Sequence, residues 1–499
     1  MIKILSTKQI KEWDGATIAQ EPIASIDLME RASRAFVNWF VQKFDTSKKI
    51  GVVCAAGNNG GDGLAIARML KDWGFPVKIW IVKGLVPQSD DFKMNFERIN
   101  GKIEIFEIFK DSDQELFDDR DVLIDAIFGS GLSRPAEGIY AQAIRCINNS
   151  QAFRVAVDIP SGLSADSNMS GEIVRADYTF SFQIPKLAFF FPQSYLFTGE
   201  WTTGDIGLSK KFISETPCKH FLVTEKDIRK LLKPRNRFDH KGQFGHALLV
   251  VGGYGKMGAA ILASRAALRS GLGLLTCHIP KSGYGIMQTA VPEAMVSVDD
   301  DENSVTNIEG VEKYTTIGIG PGIGQATVTK NILKKLLETF KKPMVIDADA
   351  LNILSADPGL VAEIPQGSIL TPHPKEFERL VGKWGNDFER LEKQKEFSLN
   401  RKCIVVLKGA YTSISDVEGN VYFNPTGSPA MAKGGSGDVL TGILTAMLSQ
   451  SYAPVESALL GVYLHGLCGN LGAVNKSVYS LIASDLTEIL PAAFKSLKN

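Results

Sequence analysis

One local pattern recurs along this chain: a short apolar run, a glycine-rich or polar turn, then a helix. In the first half the runs are residues 50–54 before Gly57, 122–127 before Gly129, and 154–157 before Asp158. In the second half they are 247–251 before Gly252, 316–319 before Gly320, 344–346 before Asp347, 368–370 before Thr371, and 404–407 before Lys408. Runs this short and this rich in β-branched residues predict strands buried on both faces. Their alternation with helices predicts an α/β chain whose sheets are mostly parallel. In such sheets ligands bind beyond the carboxyl ends of the strands, so these polar turns, far apart in sequence, share one edge.

A chain of 499 residues is too long for one ordinary core, so two domains are expected. The pattern is interrupted between Gly207 and Thr224, where Lys210, Lys211 and Pro217 fall. The expected domains are residues 1–212 and 221–499. Basic and acidic residues balance at 55 each, which argues against nucleic acid as a partner. The six cysteines are scattered without metal spacing and read as reduced thiols of a cytoplasmic protein. The first residues are too short and polar a run for a signal peptide. No apolar run is expected to reach the roughly 20 residues that span a bilayer, so no membrane partner is expected. The aromatic cluster 187–191, bounded by Pro185 and Pro192, reads as a buried strand.

Three turns of the first half gather polar groups. Gly57, Asn58, Asn59, Gly60, Gly61, Asp62 and Gly63 precede a helical face of Leu64, Ala67, Leu70 and Gly74. A second turn runs from Asp125 through Gly129, Ser130, Gly131, Leu132, Ser133 and Arg134 to Pro135, and a third from Asp158 to Leu163. Each turn alone is explained by backbone preference. Three on one edge bring amide oxygens, carboxylates and a hydroxyl together, a set suited to a hard cation.

With Leu28, Met29, Glu30, Arg31 and Ala32, these motifs resemble an NAD(P)H-hydrate epimerase domain over roughly residues 1–209. The resemblance implies a Rossmann-like, three-layer α/β/α domain that interconverts the R and S forms of NADH or NADPH hydrated at C6. It implies potassium held by Asn59, Asp125 and Ser161. It places the hydrate on Asn58, Asn59, Gly60, Gly61, Asp62, Gly129, Ser130, Gly131, Leu132, Ser133, Arg134, Pro135 and Asp158. The inverted carbon carries a hydroxyl next to a ring nitrogen, and its inversion needs a proton relay, for which Asp158 is the candidate catalytic residue.

In the second half, Gly253 to Gly258 matches G-x-G-x-x-G after a strand, but the next strand, 273–278, supplies no acidic residue. It reads as a ligand-facing turn. The strongest signal is Ala432-Lys433-Gly434-Gly435-Ser436-Gly437-Asp438, followed at once by an apolar helical stripe of Leu440, Ile443, Leu444, Met447 and Leu448. Three glycines bare the backbone N–H groups, and the helix start adds its dipole, so the loop suits a phosphate. Asp438 repels that phosphate, which makes sense if it handles a proton or a metal. Lys408 is either a phosphate contact or a solvated strand end. His373, between two prolines, reads as a substrate contact or a structural hydrogen-bonder, not a metal ligand.

Together with Gly320 to Gly322, Asp347 to Asn352 and Thr371 to Phe377, this loop resembles the ribokinase-like superfamily and, within it, ADP-dependent NAD(P)H-hydrate dehydratase, over residues 221–499. The resemblance implies that ADP lies on Lys408, Gly409, Ala410, Tyr411, Thr412, Ser428, Pro429, Ala430, Met431, Ala432, Lys433, Gly434, Gly435, Ser436 and Gly437. The hydrate lies on Gly258, Gly322, His373, Pro374, Lys375, Glu376, Phe377, Glu378, Arg379 and Asp438. Asp438 takes the hydroxyl proton as the group is phosphorylated from ADP, with magnesium assisting. Lys375 and Lys433 depart from the family's usual residues and add positive charge. The expected partners are the hydrate and ADP, with a homo-oligomeric state. A small-molecule kinase would instead leave a stable phosphorylated product. A dimerising scaffold in RNA decay would not need Asp158 or complete glycine loops.

Overall fold

The computed structural model describes residues 1–84, 87–109, 116–117 and 119–498; Asn499, the expected last residue of the second domain, lies outside them. The chain forms two compact units. One comprises Lys3–Cys218 with Asn386–Phe388, the other Met1–Ile2, Lys219–Gly385 and Glu389–Asn499.

The first unit is built on an all-parallel sheet ordered Glu104–Ile108, Val77–Val82, Ile50–Cys54, Val122–Ala126, Phe153–Val157, Tyr178–Phe182, Glu200–Gly204. The chain starts in the middle, at Ile50–Cys54, winds outward one way and then returns to wind outward the other way. The reversal lies between Ile50–Cys54 and Val122–Ala126, and there the turns after the two strands splay apart and leave a crevice. Every residue of both strands is buried, and Asp125 is the one charged residue among them. Helix Asn58–Asp72 opens directly against the first strand. A Cβ on Gly60 would stand 1.6 Å from the Ala55 carbonyl oxygen, so only glycine permits that approach.

Segment 187–191 is buried, but Leu187–Phe190 is a 3-10 turn and not the expected strand. The prolines at its borders stop a ladder from forming while its apolar side chains still need cover. Gly74, expected on a helical face, lies past the helix end with φ +93°, where it reverses the chain.

The second unit repeats the design. Counted from His220–Leu222, next to the edge strand Ile2–Lys3, the sheet runs Val421–Phe423, Ser413–Ser415, Ile404–Leu407, Ile369–Leu370, Met344–Ile346, Thr316–Ile319, His246–Val250, Leu274–Ile279, Met295–Val298. Winding reverses between His246–Val250 and Thr316–Ile319, and those two strands are parallel. The hairpin Ser413–Ser415/Val421–Phe423 is antiparallel to what precedes it. The predicted stripe of Leu440, Ile443, Leu444, Met447 and Leu448 is buried in the core. It fixes helix Ser436–Ser449 against strands Thr316–Ile319 and Met344–Ile346.

Helix Pro454–Asn475 is long and apolar enough to cross a bilayer, contrary to the expectation that no run reaches that length. In the fold, 67% of its most apolar window is buried, packed on Ser436–Ser449 and Ala483–Lys498. Its apolar excess belongs to a core helix.

Candidate active sites

In the first unit the crevice at the winding reversal is a cavity of 1880 Å³. Its wall includes Asn58, Asn59 and Asp62 from the first turn, Gly129 to Pro135 from the second, and Asp158 from the third. The three turns read from sequence therefore meet in one space. Gly60 and Gly61 are the exceptions among the first-turn residues: they are buried beneath it, where their lack of side chains seats the helix.

Asp158 follows Phe153–Val157 with φ +67°, a left-handed conformation that costs a non-glycine residue on the order of 1 kcal/mol. The bend turns its carboxylate back into the unit. Oδ1 lies 2.8 Å from Lys186 Nζ, and accepts from Ser181 Oγ and from the Phe182 N–H, each at 3.3 Å. Oδ2 accepts from the Ser130 N–H at 3.2 Å. Burial alone would raise the Asp158 pKa; the Lys186 charge and these donors outweigh it and hold the carboxyl below its usual range. Lys186 is 1% exposed, and its ammonium also donates to Ser181 Oγ and to the Phe182 and Ile184 carbonyls. Sequence reasoning missed it. The available signal was a lone lysine inside the apolar stretch from Ile184 to Phe191.

Two other carboxyls face this pair. Asp62 has its Oδ1 buried without a hydrogen-bond partner. Burial first, and then the charges of Asp158, Asp14 and Asp91, push its pKa well up. Asp14, on helix Thr7–Gln20, also lines the cavity and was not singled out in the sequence.

The expected cation ligands also converge. Asp125 and Ser161 are each 1% exposed. Asp125 Oδ1 accepts from Ser161 Oγ at 2.6 Å and Oδ2 from the Ser161 N–H at 2.7 Å. Burial raises the Asp125 pKa to about 6 against these bonds. Asn59 packs beside Gly129, and its Nδ2 is buried with no partner. The unpartnered Nδ2 is a hydrogen-bond donor and ligates no cation; the Asp125 carboxylate, the Ser161 hydroxyl and the Asn59 amide oxygen are the oxygen donors a monovalent cation would take.

In the second unit the loops at the winding reversal touch. The Gly252 N–H donates to the Pro321 carbonyl at 2.7 Å, and a Cβ on Gly322 would stand 3.2 Å from Lys256 Cβ. The glycine-rich turn 253–258 thus packs on the Gly320–Gly324 turn. Gly258 is exposed there. Beside them, Asp347 follows Met344–Ile346 and stands at the N-cap position of helix Ala348–Ala356 without a side-chain capping bond.

Lys408 is not a solvated strand end. Its ammonium bonds Asp347 Oδ1 at 3.0 Å and lies 3.8 Å from Glu376 Oε2. Burial lowers its pKa, but Asp347 and Glu376 outweigh burial and the net direction is up. The other Asp347 oxygen accepts from Thr441 Oγ1 at 2.8 Å, which ties helix Ser436–Ser449 to the strand end.

At that helix's start Gly435 has φ +89°, and a Cβ on Gly437 would stand 3.6 Å from both Asp347 Oδ2 and Lys408 Nζ. Gly434 has open space around it. The bare loop, the lysine and two carboxylates therefore occupy one spot. Asp438, on the first turn of the helix, is half-buried. Burial and the Asp347 charge raise its pKa to about 6, with Lys408 opposing and Asp349 assisting. His465, missed in sequence, has Nε2 2.9 Å from the Ser436 carbonyl oxygen. Burial lowers its pKa to about 4, so it is neutral and donates that bond.

The remaining predicted residues divide. His373 caps helix Pro374–Val381: its Nδ1 accepts from the Lys375 and Glu376 N–H groups, and Glu376 Oε2 accepts from the His373 N–H. Lys375 is exposed, and Arg379 donates to Asn352 Oδ1. Glu378 is half-buried. Phe377 is fully buried against Trp384 and Phe397, so it is core. Gly409 and Thr412 close a turn through Thr412 Oγ1, with exposed Ala410 and half-buried Tyr411 between them. Ser428 caps the short turn Pro429–Met431, whose Ala430 is buried, while Ala432 and Lys433 are exposed.

A family model described as NAD(P)H-hydrate dehydratase matches residues 247–492, and one described as YjeF-related protein N-terminus matches residues 25–188. The bifunctional NAD(P)H-hydrate repair enzyme Nnr of Moorella thermoacetica is 33% identical over 516 residues, covering 99% of this chain and 97% of its own. Among solved structures, the ADP/ATP-dependent NAD(P)H-hydrate dehydratase of Bacillus subtilis, co-crystallised with ATP and Mg2+, is 34% identical with a TM-score of 0.49. It covers 56% of this chain and 98% of its own. A ribokinase-like superfamily protein of Enterococcus faecalis V583 is 26% identical with a TM-score of 0.50, over 56% of this chain and 98% of its own. Matched along nearly its whole length at that identity, the chain belongs to the family of bifunctional NAD(P)H-hydrate repair enzymes, in which an epimerase is joined to an ADP- or ATP-dependent dehydratase.

Proposed function

We propose that the N-terminal cleft is where the R and S hydrates interconvert, and that the loop edge of the C-terminal sheet is where the S hydrate is dehydrated. The observation that carries the second assignment is the meeting of Gly437, Lys408 and Asp347 beside Asp438. A phosphoryl group seated on the Gly434–Gly437 backbone meets N–H donors, a helix N-terminus and an ammonium at once. The hydrate's C6 oxygen attacks the β-phosphorus of ADP, the bond to AMP breaks, and Asp438 accepts the hydroxyl proton. Phosphate then leaves C6 with the C–O bonding pair, and loss of the neighbouring ring proton restores the double bond of NADH or NADPH. His465 acts through Ser436 by holding the loop carbonyl in place. Magnesium supplies charge neutralisation on the phosphates. Among the described residues no group of three or more His, Cys, Asp or Glu side chains is arranged to hold a metal.

In the cleft, Asp158 is kept ionised by Lys186 and serves as the proton acceptor. Asn59, Asp125 and Ser161 hold potassium, which supplies fixed positive charge near the turn that carries Gly129 and Ser130. The test uses the full chain with mixed hydrate epimers and ADP, following recovery of reduced nicotinamide absorbance. Asp438→Asn is expected to abolish dehydration while R and S still interconvert. Loss of both activities together overturns the assignment of separate sites.

A further inference from the structure

Inverting one carbon by exchange of its hydroxyl demands two proton operations: donation to the hydroxyl that departs and abstraction from the water that replaces it. Asp158 suits only the second, because an ammonium 2.8 Å away holds it as the carboxylate. The cleft therefore needs an acid. Lys186 is committed to Asp158, Ser181 and two carbonyls.

Helix Thr7–Gln20 presents Ile10, Asp14 and Ile18 to the cavity, one face at a spacing of four residues. A carboxyl thus interrupts an apolar stripe. The helix is anchored on both sides of it. Trp13 Nε1 donates to the Ser209 carbonyl at 2.8 Å, and Thr17 Oγ1 donates to the Trp13 carbonyl and accepts from the Ser209 N–H. Ser6 and Gln9 close a capping box at its start. Asp14 has no hydrogen bond or ion pair among the described residues, although Trp13 and Thr17 on its own helix are hydrogen-bonded. A carboxyl held rigidly toward substrate space, without a partner of its own, is positioned for a group that arrives with the substrate.

We propose that Asp14 is the general acid of the epimerisation, protonating the departing C6 hydroxyl while Asp158 takes the proton of the incoming water. This inference rests on the assignment of Asp158 to the epimerase site. Asp14 gives its proton to the C6 oxygen, the C–O bond breaks, and the lone pair of the adjacent ring nitrogen forms a C=N bond. Water adds to C6 from the other face, the π pair returns to nitrogen, and Asp158 accepts the released proton. Microscopic reversibility exchanges the two roles in the S-to-R direction, and solvent resets both groups. Two carboxyls with pKa values pushed apart are what such a division of labour needs. Burial and Asp158 raise Asp14 to about 6, with Lys186 opposing, while Asp158 is lowered. The other charges facing Asp14 are Asp62 on helix Asn58–Asp72 and Lys11 on its own helix; Lys210, Lys211 and Glu215 on the packed helix Lys210–Glu215 are exposed.

The experiment uses the full chain and purified R hydrate, with the R-to-S rate read by chromatography without ADP and S consumption read with ADP. Asp14→Asn is expected to slow R-to-S conversion by about 10²–10⁴-fold with S consumption unchanged. Asp14→Glu is expected to recover part of the rate. In the wild type the rate is expected to fall about tenfold per pH unit above about 6, and that limb is expected to vanish in Asp14→Asn. In oxygen-18 water the new epimer is expected to carry the label. A wild-type rate in Asp14→Asn, an unlabelled product, or the absence of that limb in the wild type overturns the proposal. If Asp158→Asn keeps a wild-type R-to-S rate, the site assignment itself fails. If Asp158→Asn is inactive while Asp14→Asn is active, only the role of Asp14 falls.

Discussion

Lys186→Met isolates the largest electrostatic commitment in the N-terminal unit. The substitution preserves most of the stem's packing and deletes an ammonium that is 1% exposed and 2.8 Å from Asp158. Breaking a buried pair from one side costs roughly 3–5 kcal/mol, because the surviving charge is left uncompensated. The Ser130 and Phe182 N–H groups and the Ser181 hydroxyl still hold the carboxylate, so the low end, ~3 kcal/mol, applies. At about 1.4 kcal/mol per factor of ten, amide exchange that requires opening of this unit accelerates on the order of 10²-fold. Hydrogen–deuterium exchange of the full chain, read on peptides from Ile50–Cys54 and Phe153–Val157, measures it without assuming that the two units unfold together. The penalty is expected to shrink at low pH, because protonating Asp158 removes the orphaned charge. In the wild type the sign is opposite: the lowered Asp158 pKa contributes stability above the ordinary carboxyl range, and that stability is lost as pH falls through the folded value. Adding Asp158→Asn is expected to recover most of the loss. Equal exchange in Lys186→Met and wild type, or additive effects in the double variant, refutes the coupling.

The dehydratase rate is expected to rise with pH through about 6, since Asp438 must be ionised to accept a proton; Lys408→Met is expected to move that limb upward, because Lys408 opposes the raising charges, and a pH–rate profile with saturating ADP checks it. Gly434→Ala has open space around its Cβ and is expected to leave the melting temperature unchanged while weakening ADP binding, measured by calorimetry. Gly320→Ala would place its Cβ 1.8 Å from the Asp347 carbonyl oxygen at φ +132° and is expected to destabilise by more than ~3 kcal/mol. Asn59→Leu is expected to remove the potassium dependence of epimerisation and to leave dehydration of the S hydrate unaffected, assayed with potassium replaced by tetramethylammonium.

The strands were legible because a fully buried parallel strand has no polar face to blur its pattern: Ile50–Cys54, Thr316–Ile319, Met344–Ile346 and Ile404–Leu407 fall where the apolar runs fall. The turns after them were legible because glycine and Asn, Asp or Ser mark a chain reversal whatever the ligand. Ser413–Ser415 was not, since two of its three residues are serines and leave no apolar run to mark it. The run 187–191 misled because burial and strand geometry give the same apolar signal, and the prolines that separate them act through the backbone. At the sites, sequence found the residues that sit on turns and missed those that reach the same point from elsewhere. Lys186 arrives from beyond the strand Tyr178–Phe182, Asp14 from the first helix, Thr441 and His465 from helix interiors. Their roles come from distance in space, which local pattern does not encode. Of the two readings of Lys408, the fold decides against the solvated strand end, because only the fold brings Asp347 and Glu376 to it.

The two units place one carboxylate each at the loop edge of a parallel sheet and push its pKa in opposite directions. Asp158 is lowered by a lysine that touches it. Asp438 is raised by burial and then by the Asp347 charge, which Lys408, already bonded to Asp347, only partly offsets. The difference follows from what each carboxylate must survive. Asp158 works in a cleft with two further acids, Asp14 and Asp62, and without Lys186 the three would compete for protons and leave none reliably ionised. Asp438 stands beside a loop built to collect phosphate, where a fixed negative charge weakens binding. A carboxyl near its midpoint at about pH 6 can bind the nucleotide with part of its charge neutralised and still accept a proton in the next step. On this argument a lysine introduced next to Asp438 strengthens ADP binding and slows turnover, whereas removing the lysine next to Asp158 leaves hydrate binding and stops inversion.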